Sequence, residues 1–135
     1  DLDEECERYE AAIEAASGID LLLAGIGSNG HIGFNEPADA LAARTHRVRL
    51  ADSTRRDNAA LFGGDAAQVP CEALSMGMGT ILKAGAIVLV ATGARKAPCV
   101  GRVVHGPVST HLPASFLQLH RSVELYLDAA AAKDL

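Results

Sequence analysis

Residues 20–37 read DLLLAGIGSNGHIGFNEP, an apolar run followed by a loop rich in glycine and polar side chains. The run from Asp20 to Ile26 is apolar on consecutive positions, which predicts a strand covered on both faces, as in a parallel sheet. In such sheets ligands bind outside the carboxyl ends of the strands. The loop that begins near Ile26 is therefore the first place to look for a functional site.

Helical and strand patterns alternate along the rest of the chain. Helices are predicted at 2–17, 53–62, 77–84, 94–104 and 113–119, and strands at 20–26, 44–50, 72–76, 86–91 and 122–128. Ser53 and Thr54 are interpreted as N-terminal caps of the second helix. The alternation predicts a single α/β domain over residues 1–135, with helices on both faces of a mostly parallel sheet.

Composition limits the classes of partner. A net charge of −5 without a basic stripe, and few aromatic residues, argue against nucleic acid. No apolar stretch approaches the roughly 18 residues that cross a bilayer. The three cysteines, Cys6, Cys71 and Cys99, lack the spacing of a disulfide framework or a zinc site. We expect them to be buried in a protein of the reducing cytoplasm.

The first and last segments give two further expectations. The chain starts at Asp1 in what reads as a helix already under way, without the features of a signal peptide, so we expect a C-terminal portion of a larger domain. The alanine-rich tail 128–135 is expected to fray.

Gly25, Gly27 and Gly30 match the G-x-G-x-x-G pattern of dinucleotide-binding loops. That motif needs a helix directly after the third glycine, with the pyrophosphate at its N-terminus. Gly33 and Pro37 follow too closely for such a helix to form. Two alternatives stay open: the glycines make a tight turn, or they let the backbone approach a ligand.

The polar residues of the loop favour a site. His31 is accompanied by Asn29, Asn35 and Glu36 at the carboxyl end of the predicted strand. A carboxylate can orient an imidazole for proton transfer, and the amides can hydrogen-bond a substrate.

These residues carry a resemblance to a known family. The segments GIGSNGHIGFNEP, RTHRVRLADSTRRDNAALF, VPCEALSMGMGTIL, ATGARKA and PASFLQLH, in this order, resemble glucosamine-6-phosphate deaminases over residues 3–128. The resemblance implies a three-layer α/β/α sandwich with a Rossmann-like sheet. It also implies conversion of glucosamine 6-phosphate and water to fructose 6-phosphate and ammonia, a step of amino-sugar catabolism, with no cofactor or metal.

The resemblance assigns roles to individual residues. His31 falls on the histidine that opens the pyranose ring, and Asn29 and Glu36 fall on its two catalytic partners. Lys96 falls on the phosphate lysine, at a helix start where an anion is favoured. The backbone at Gly25, Gly27 and Gly30 is expected to lie against the sugar.

Two expected parts of the family's site are absent. The aspartate that moves a proton from C2 to C1 belongs to a segment N-terminal to these residues, as does much of the phosphate loop, and none of Asp20, Asp39 and Asp52 matches that base. Ala60 stands where the family has a lid arginine. Arg55 or Arg56 is the candidate replacement, and weaker phosphate binding or another sugar phosphate is expected without one.

Alternatives remain within the same fold. A 6-phosphogluconolactonase has the same fold and a G-x-G-x-D-G-H segment, but its pattern after the histidine differs from Ile32-Gly33-Phe34-Asn35-Glu36-Pro37, and a sugar-phosphate sensor would lack turnover. Family members range from monomers to hexamers, so the resemblance leaves a homo-oligomer open.

Overall fold

A computed structural model describes all residues from 1 to 135 and centres on a three-stranded parallel sheet. Strand β1 (Leu21–Gly25) pairs with β4 (Ala86–Ala91), and β4 pairs with β5 (Val123–Leu127). A separate antiparallel pair is formed by β2 (His46–Arg49) and β3 (Glu72–Ser75). The loops after β1 and β4 open side by side at the carboxyl edge of the parallel sheet, as predicted.

The predicted order of helices and strands is confirmed. The α-helices are α1 (Leu2–Ala15), α2 (Asp52–Asn58), α3 (Met78–Leu82) and α4 (Ala97–His105). Four short 3₁₀ segments lie at Ala59–Phe62, Ala66–Gln68, Ala94–Lys96 and Pro113–Leu119. Helix α1 ends at Ala15 rather than at residue 17, because Ser17 and Gly18 adopt positive φ angles of 66° and 100°.

The main core fills one face of the parallel sheet. Ile87 and Leu89 of β4 are each 1% exposed, and they belong to the same buried cluster as Ile81 of α3 and Val100 of α4. Because the glycine loop contributes Ile26 and Ile32 to this cluster, the core anchors the loop directly.

The expectation that β1 is covered on both faces is wrong for these 135 residues. Leu22 and Ala24 pack against the core, whereas Leu21 and Leu23 on the opposite face are 60% and 70% exposed. Val90 of the adjacent strand, on that same face, is 40% exposed. Consecutive apolar residues predicted a buried strand, but here only one face has a covering layer.

Glu10 connects α1 to the residue before β2 and to α3. Its side chain is 5% exposed, and its Oε1 accepts hydrogen bonds from Thr45 N and Thr45 Oγ1 at 2.6 Å and from Thr80 Oγ1 at 2.7 Å. Burial raises the pKa of Glu10, but the hydrogen bonds from Thr45 and Thr80 outweigh burial and hold the pKa below its ordinary value.

Two smaller expectations are also wrong. The tail does not fray: Asp128 accepts hydrogen bonds from Gly93 N and Ala131 N, and Ala131 is fully buried. Cys71 is exposed, whereas Cys6 and Cys99 are buried as predicted, and all three thiols are free. None of the helices has both the length and the apolar character needed to cross a membrane.

Candidate active site

The glycine loop is a closed turn that folds back on the core. Gly27 N donates to His31 O at 2.9 Å and Gly30 N donates to Gly27 O at 3.0 Å, with Gly30 at a φ of 91°. Ile32 is fully buried at the end of this turn. No helix follows Gly30, since the next regular element is β2, so the structure lacks the helix N-terminus that a dinucleotide loop requires.

Gly27 is required by the histidine of the same loop. A Cβ at Gly27 would lie 2.2 Å from both Cε1 and Nδ1 of His31, far inside van der Waals contact. The imidazole therefore packs on bare backbone at this position. Gly25 is different, because a Cβ there would meet only Val90 O at 4.0 Å, and its lack of a side chain has no steric reason within these residues.

The Asn29 side chain fixes the tautomer of His31. Asn29 Oδ1 accepts from His31 N at 3.1 Å and lies 2.8 Å from His31 Nδ1, while Asn29 Nδ2 donates to Glu36 Oε2 at 2.7 Å. A carboxylate can only accept, so the amide NH₂ must face Glu36 and the amide oxygen must face the ring. The Nδ1 atom consequently carries the proton, and Nε2 keeps a free lone pair.

Glu36 accepts the last hydrogen bond in the series that runs from His31 through Asn29. Its Oε2 receives the Asn29 amide and lies 3.6 Å from His31 Nδ1, and both side chains are 14% exposed. Its Oε1 accepts a hydrogen bond from Thr54 Oγ1 and lies 3.5 Å from Ala51 N. Hydrogen-bond donors therefore hold both oxygens of the Glu36 carboxylate in place.

Thr54 belongs to α2 and is 1% exposed. The interpretation of Ser53 and Thr54 as helix caps is wrong: Ala51 is the N-cap residue, and no side chain caps the helix. The Thr54 hydroxyl is instead directed to Glu36, eighteen positions earlier in the sequence, and lies 3.5 Å from His31 Nδ1.

Burial lowers the pKa of His31 below its ordinary value of 6.5. The charge of Glu36 raises the pKa and that of Lys96 lowers it, and the net direction is downward. The imidazole is accordingly neutral at pH 7, with Nε2 able to accept a proton.

A cavity of about 610 Å³ opens beside this loop, between α2 and the turn after β4. Its lining carries the cations Arg56, Arg95 and Lys96 and the carboxylate Asp57. Lys96 Nζ donates to Ile26 O at 2.8 Å, so a lining residue of the cavity is bonded to the start of the glycine loop. Lys96 lies directly before α4, at the helix start that the sequence predicted.

Asp57 ties α2 to both sides of this cavity. Its Oδ2 accepts from Ser28 Oγ of the glycine loop at 3.1 Å, and its Oδ1 accepts from Arg95 Nη2 at 3.2 Å. Neither contact is visible in the local sequence pattern. Helix α2 is therefore held against the site by Asp57 as well as by Thr54.

Of the two arginines considered for the position of Ala60, only Arg56 lines the cavity. Arg55 is occupied elsewhere: its guanidinium donates to Val69 O at 3.1 and 3.2 Å and to Ala66 O at 3.0 Å. Ala60 lies exposed in the 3₁₀ segment after α2.

Asn35 does not serve as an open hydrogen-bonding group of the site. It is 2% exposed, and its Nδ2 donates to Ile32 O at 2.9 Å and Met76 O at 2.8 Å. Asn35 therefore joins the loop to the residues after β3.

A family model supports the class of protein that this fold and site define. Residues 1–126 match the family of glucosamine-6-phosphate isomerases and 6-phosphogluconolactonases, and the chain belongs to that family.

Individual relatives point to one of the two activities that the family name contains. The chain is 50% identical over 133 residues to a glucosamine-6-phosphate deaminase of Corynebacterium urealyticum, covering 98% of this chain and 51% of the relative. It is 52% identical over 130 residues to one of Streptomyces avermitilis, covering 96% and 50%. The chain spans about half the length of these curated relatives.

Solved structures agree on the fold. A monomeric glucosamine-6-phosphate deaminase superposes with a TM-score of 0.95 at 43% identity, over 100% of this chain and 56% of that protein. A 6-phosphogluconolactonase from Trypanosoma brucei gives a TM-score of 0.69 at 19% identity, covering 96% and 52%, which supports the shared fold alone. The predicted α/β/α fold class with its parallel sheet is thereby confirmed.

Proposed function

We propose that these residues form the ring-opening and phosphate-binding part of a glucosamine-6-phosphate deaminase, which converts glucosamine 6-phosphate and water to fructose 6-phosphate and ammonia. The observation that carries the proposal is the chain from His31 Nδ1 through Asn29 to Glu36, which leaves Nε2 free as a base. The identity of about half with curated deaminases supports the same activity.

Ring opening requires one group that both accepts and donates a proton. Neutral His31 takes the proton of the C1 hydroxyl at Nε2 and returns it to the ring oxygen as the C1–O bond to the ring breaks. During this transfer the His31 side chain becomes an imidazolium, and the Glu36 carboxylate, whose Oε2 lies 3.6 Å from Nδ1, stabilises its positive charge. Asn29 holds the ring orientation throughout because its oxygen accepts from Nδ1 in both protonation states.

The later proton transfer from C2 to C1 needs a second base. Asp39 and Asp52 have fully or largely exposed side chains, and Asp20 lies at the opposite end of β1 from the loop. We assign this base to the part of the relatives that has no counterpart in these residues. The 135 residues alone are then catalytically incomplete.

The substrate phosphate occupies the cavity beside the glycine loop. Lys96 contributes an ammonium group and Arg56 supplies further positive charge where Ala60 supplies none, and Arg95 adds a guanidinium that it shares with Asp57. Of the three loop glycines expected against the sugar, Gly25 keeps an open face, because Gly27 is covered by the His31 ring and Gly30 by Leu112. The hydrogen bond from Lys96 Nζ to Ile26 O fixes the position of the phosphate lysine relative to the loop that carries His31.

The open face of the parallel sheet supports a larger domain. Leu21 and Leu23 lie on it, and burying a leucine fully contributes about 1.5–3 kcal/mol. We assign the cover of this face to the remaining half of the relatives' length, so that residues 1–135 form the C-terminal portion of the complete domain.

A cytoplasmic setting fits the three free thiols, of which Cys71 is exposed, because reducing compartments maintain such cysteines.

Assembly into a homo-oligomer is tested by the mass of the complete protein in solution.

The experiment compares two substrates with the complete protein. We expect release of ammonia and fructose 6-phosphate from glucosamine 6-phosphate, and no hydrolysis of 6-phosphogluconolactone above the uncatalysed rate. Hydrolysis of the lactone without ammonia release would favour the lactonase alternative. Tight binding of glucosamine 6-phosphate without turnover would instead identify a sensor.

A further inference from the structure

We propose that Thr54 is a positioning residue that sets the basicity of His31 by holding the Glu36 carboxylate, an inference that rests on the proposed function. The Thr54 hydroxyl makes no hydrogen bond with the free Nε2 or with the cations of the phosphate cavity. Its effect is transmitted through Glu36 Oε1, to which its hydroxyl donates.

The direction of the Thr54 hydroxyl follows from its two neighbours. Glu36 Oε1 can only accept, and His31 Nδ1 already directs its proton to Asn29 Oδ1 at 2.8 Å. The single hydroxyl proton of Thr54 must therefore lie on the Glu36 side. At 1% exposure no solvent competes for this bond.

This bond divides the two oxygens of Glu36 between different partners. Oε1 is held by Thr54, while Oε2 receives the Asn29 amide at 2.7 Å and faces His31 Nδ1 at 3.6 Å. Without the Thr54 donor, the negative charge of Glu36 is less stabilised and its Oε1 is no longer held by Thr54. The carboxylate can then accept the hydrogen bond of His31 Nδ1–H in place of Asn29 Oδ1, which favours the imidazolium over the neutral ring.

Helix α2 keeps its place when this hydroxyl is removed. Asp57, three residues further along the helix, bonds Ser28 and Arg95, and Asn58 Nδ2 donates to the backbone oxygen of Thr54 at 2.9 Å. A Thr54→Val substitution leaves these contacts and the side-chain volume intact while deleting the donor. It therefore separates positioning of Glu36 from anchoring of the helix.

The test uses the complete protein with three variants. Thr54→Val deletes the hydroxyl, Thr54→Ser restores it, and Asn58→Ala perturbs α2 without touching Glu36. We expect Thr54→Val to lower kcat about tenfold or more, the scale of a hydrogen bond to a charged group, with KM within about twofold. Thr54→Ser and Asn58→Ala should retain kcat within about threefold.

A second readout does not depend on turnover. The pKa of His31, followed by NMR of its ring nitrogens, should rise by about half a unit or more in Thr54→Val and return toward the wild-type value in Thr54→Ser. The acid limb of kcat/KM should move with it.

The experiment distinguishes failure of the proposed function from failure of the inference about Thr54. A wild-type protein without deaminase activity would refute the proposed function, while the His31 pKa would still decide the role of Thr54. An active enzyme whose Thr54→Val variant has unchanged kcat and unchanged His31 pKa would overturn the inference alone. A raised KM with unchanged kcat would mark Thr54 as a helix anchor and overturn it as well.

Discussion

Asn29 and His31 are joined twice, because the amide oxygen of Asn29 receives the backbone N–H of His31 at 3.1 Å and lies 2.8 Å from its ring Nδ1. One side chain thus fixes both the loop conformation and the imidazole tautomer. The second amide group, bonded to Glu36 at 2.7 Å, prevents Asn29 from flipping. The proton-transfer properties of the site depend on this orientation.

Replacing Asn29 by aspartate should raise the pKa of His31. A carboxylate at this position adds negative charge beside Nδ1 and removes the donor to Glu36, so the imidazolium becomes more favourable. Titration of the ring nitrogens by NMR measures the shift. An unchanged or lower pKa would contradict the assigned hydrogen-bond direction.

Acid should destabilise the fold through His31. Because burial lowers the folded-state pKa of His31, the unfolded chain binds the proton first as pH falls. The free energy of unfolding should be independent of this group above about pH 6.5 and should decrease as pH falls from there toward the lower folded-state pKa. Urea unfolding of wild type and His31→Gln at a series of pH values measures it, and equal slopes for both proteins would exclude this role.

Gly27 should not tolerate even alanine. The new methyl group would lie 2.2 Å from the His31 ring, so the imidazole must leave its place, and we expect kcat to fall about a hundredfold or more. Gly25→Ala is the informative partner, because a Cβ fits there without a clash. A raised KM in Gly25→Ala would locate the sugar near this backbone, and normal kcat in Gly27→Ala would refute the steric argument.

The cations of the cavity should determine phosphate affinity. We expect Arg56→Gln and Arg95→Gln each to raise KM for glucosamine 6-phosphate about tenfold with a smaller change in kcat, the loss of a charge-assisted contact. Arg47→Gln, on the exposed side of β2, is the matched control. If only Arg55→Gln raised KM, the phosphate would lie elsewhere, since Arg55 is bonded to Val69 and Ala66.

Glu10 should contribute to stability rather than to catalysis. Glu10→Ala removes the shared acceptor of two half-buried donors of Thr45 and of the buried Thr80 hydroxyl, and we expect a loss of about 3 kcal/mol in the free energy of unfolding. Because the pKa of Glu10 is lowered in the folded protein, its contribution should be full above about pH 4.3 and lost as pH falls through the folded-state pKa. Urea unfolding at neutral and acid pH measures both effects, and equal stability of the two proteins at pH 7 would contradict the assignment.

The order of elements could be predicted from sequence because apolar periodicity and turn residues are local signals. The polar content of the loop likewise placed His31, Asn29 and Glu36 at the end of β1. The contact from Thr54 to Glu36 could not be predicted, because a threonine near a helix start has the same local pattern whether it caps the helix or contacts a distant carboxylate.

The local sequence pattern also could not show which faces of the sheet are covered. Leu21 and Leu23 follow the rule for a doubly buried strand, yet the layer that would bury them is absent from these residues. Similarly, the sequence could not distinguish Arg55 from Arg56, since adjacent helical residues point in different directions and only the folded chain shows which one meets the carbonyls of Ala66 and Val69.

The most direct test of His31 as the ring-opening base compares the complete wild-type protein with its His31→Gln variant. Ammonia release from glucosamine 6-phosphate is measured by steady-state kinetics, and substrate binding by calorimetry. We expect kcat to fall at least about a hundredfold while the Kd changes by less than about threefold, because glutamine fills the site but cannot transfer the proton. Wild-type turnover in the variant would contradict the account.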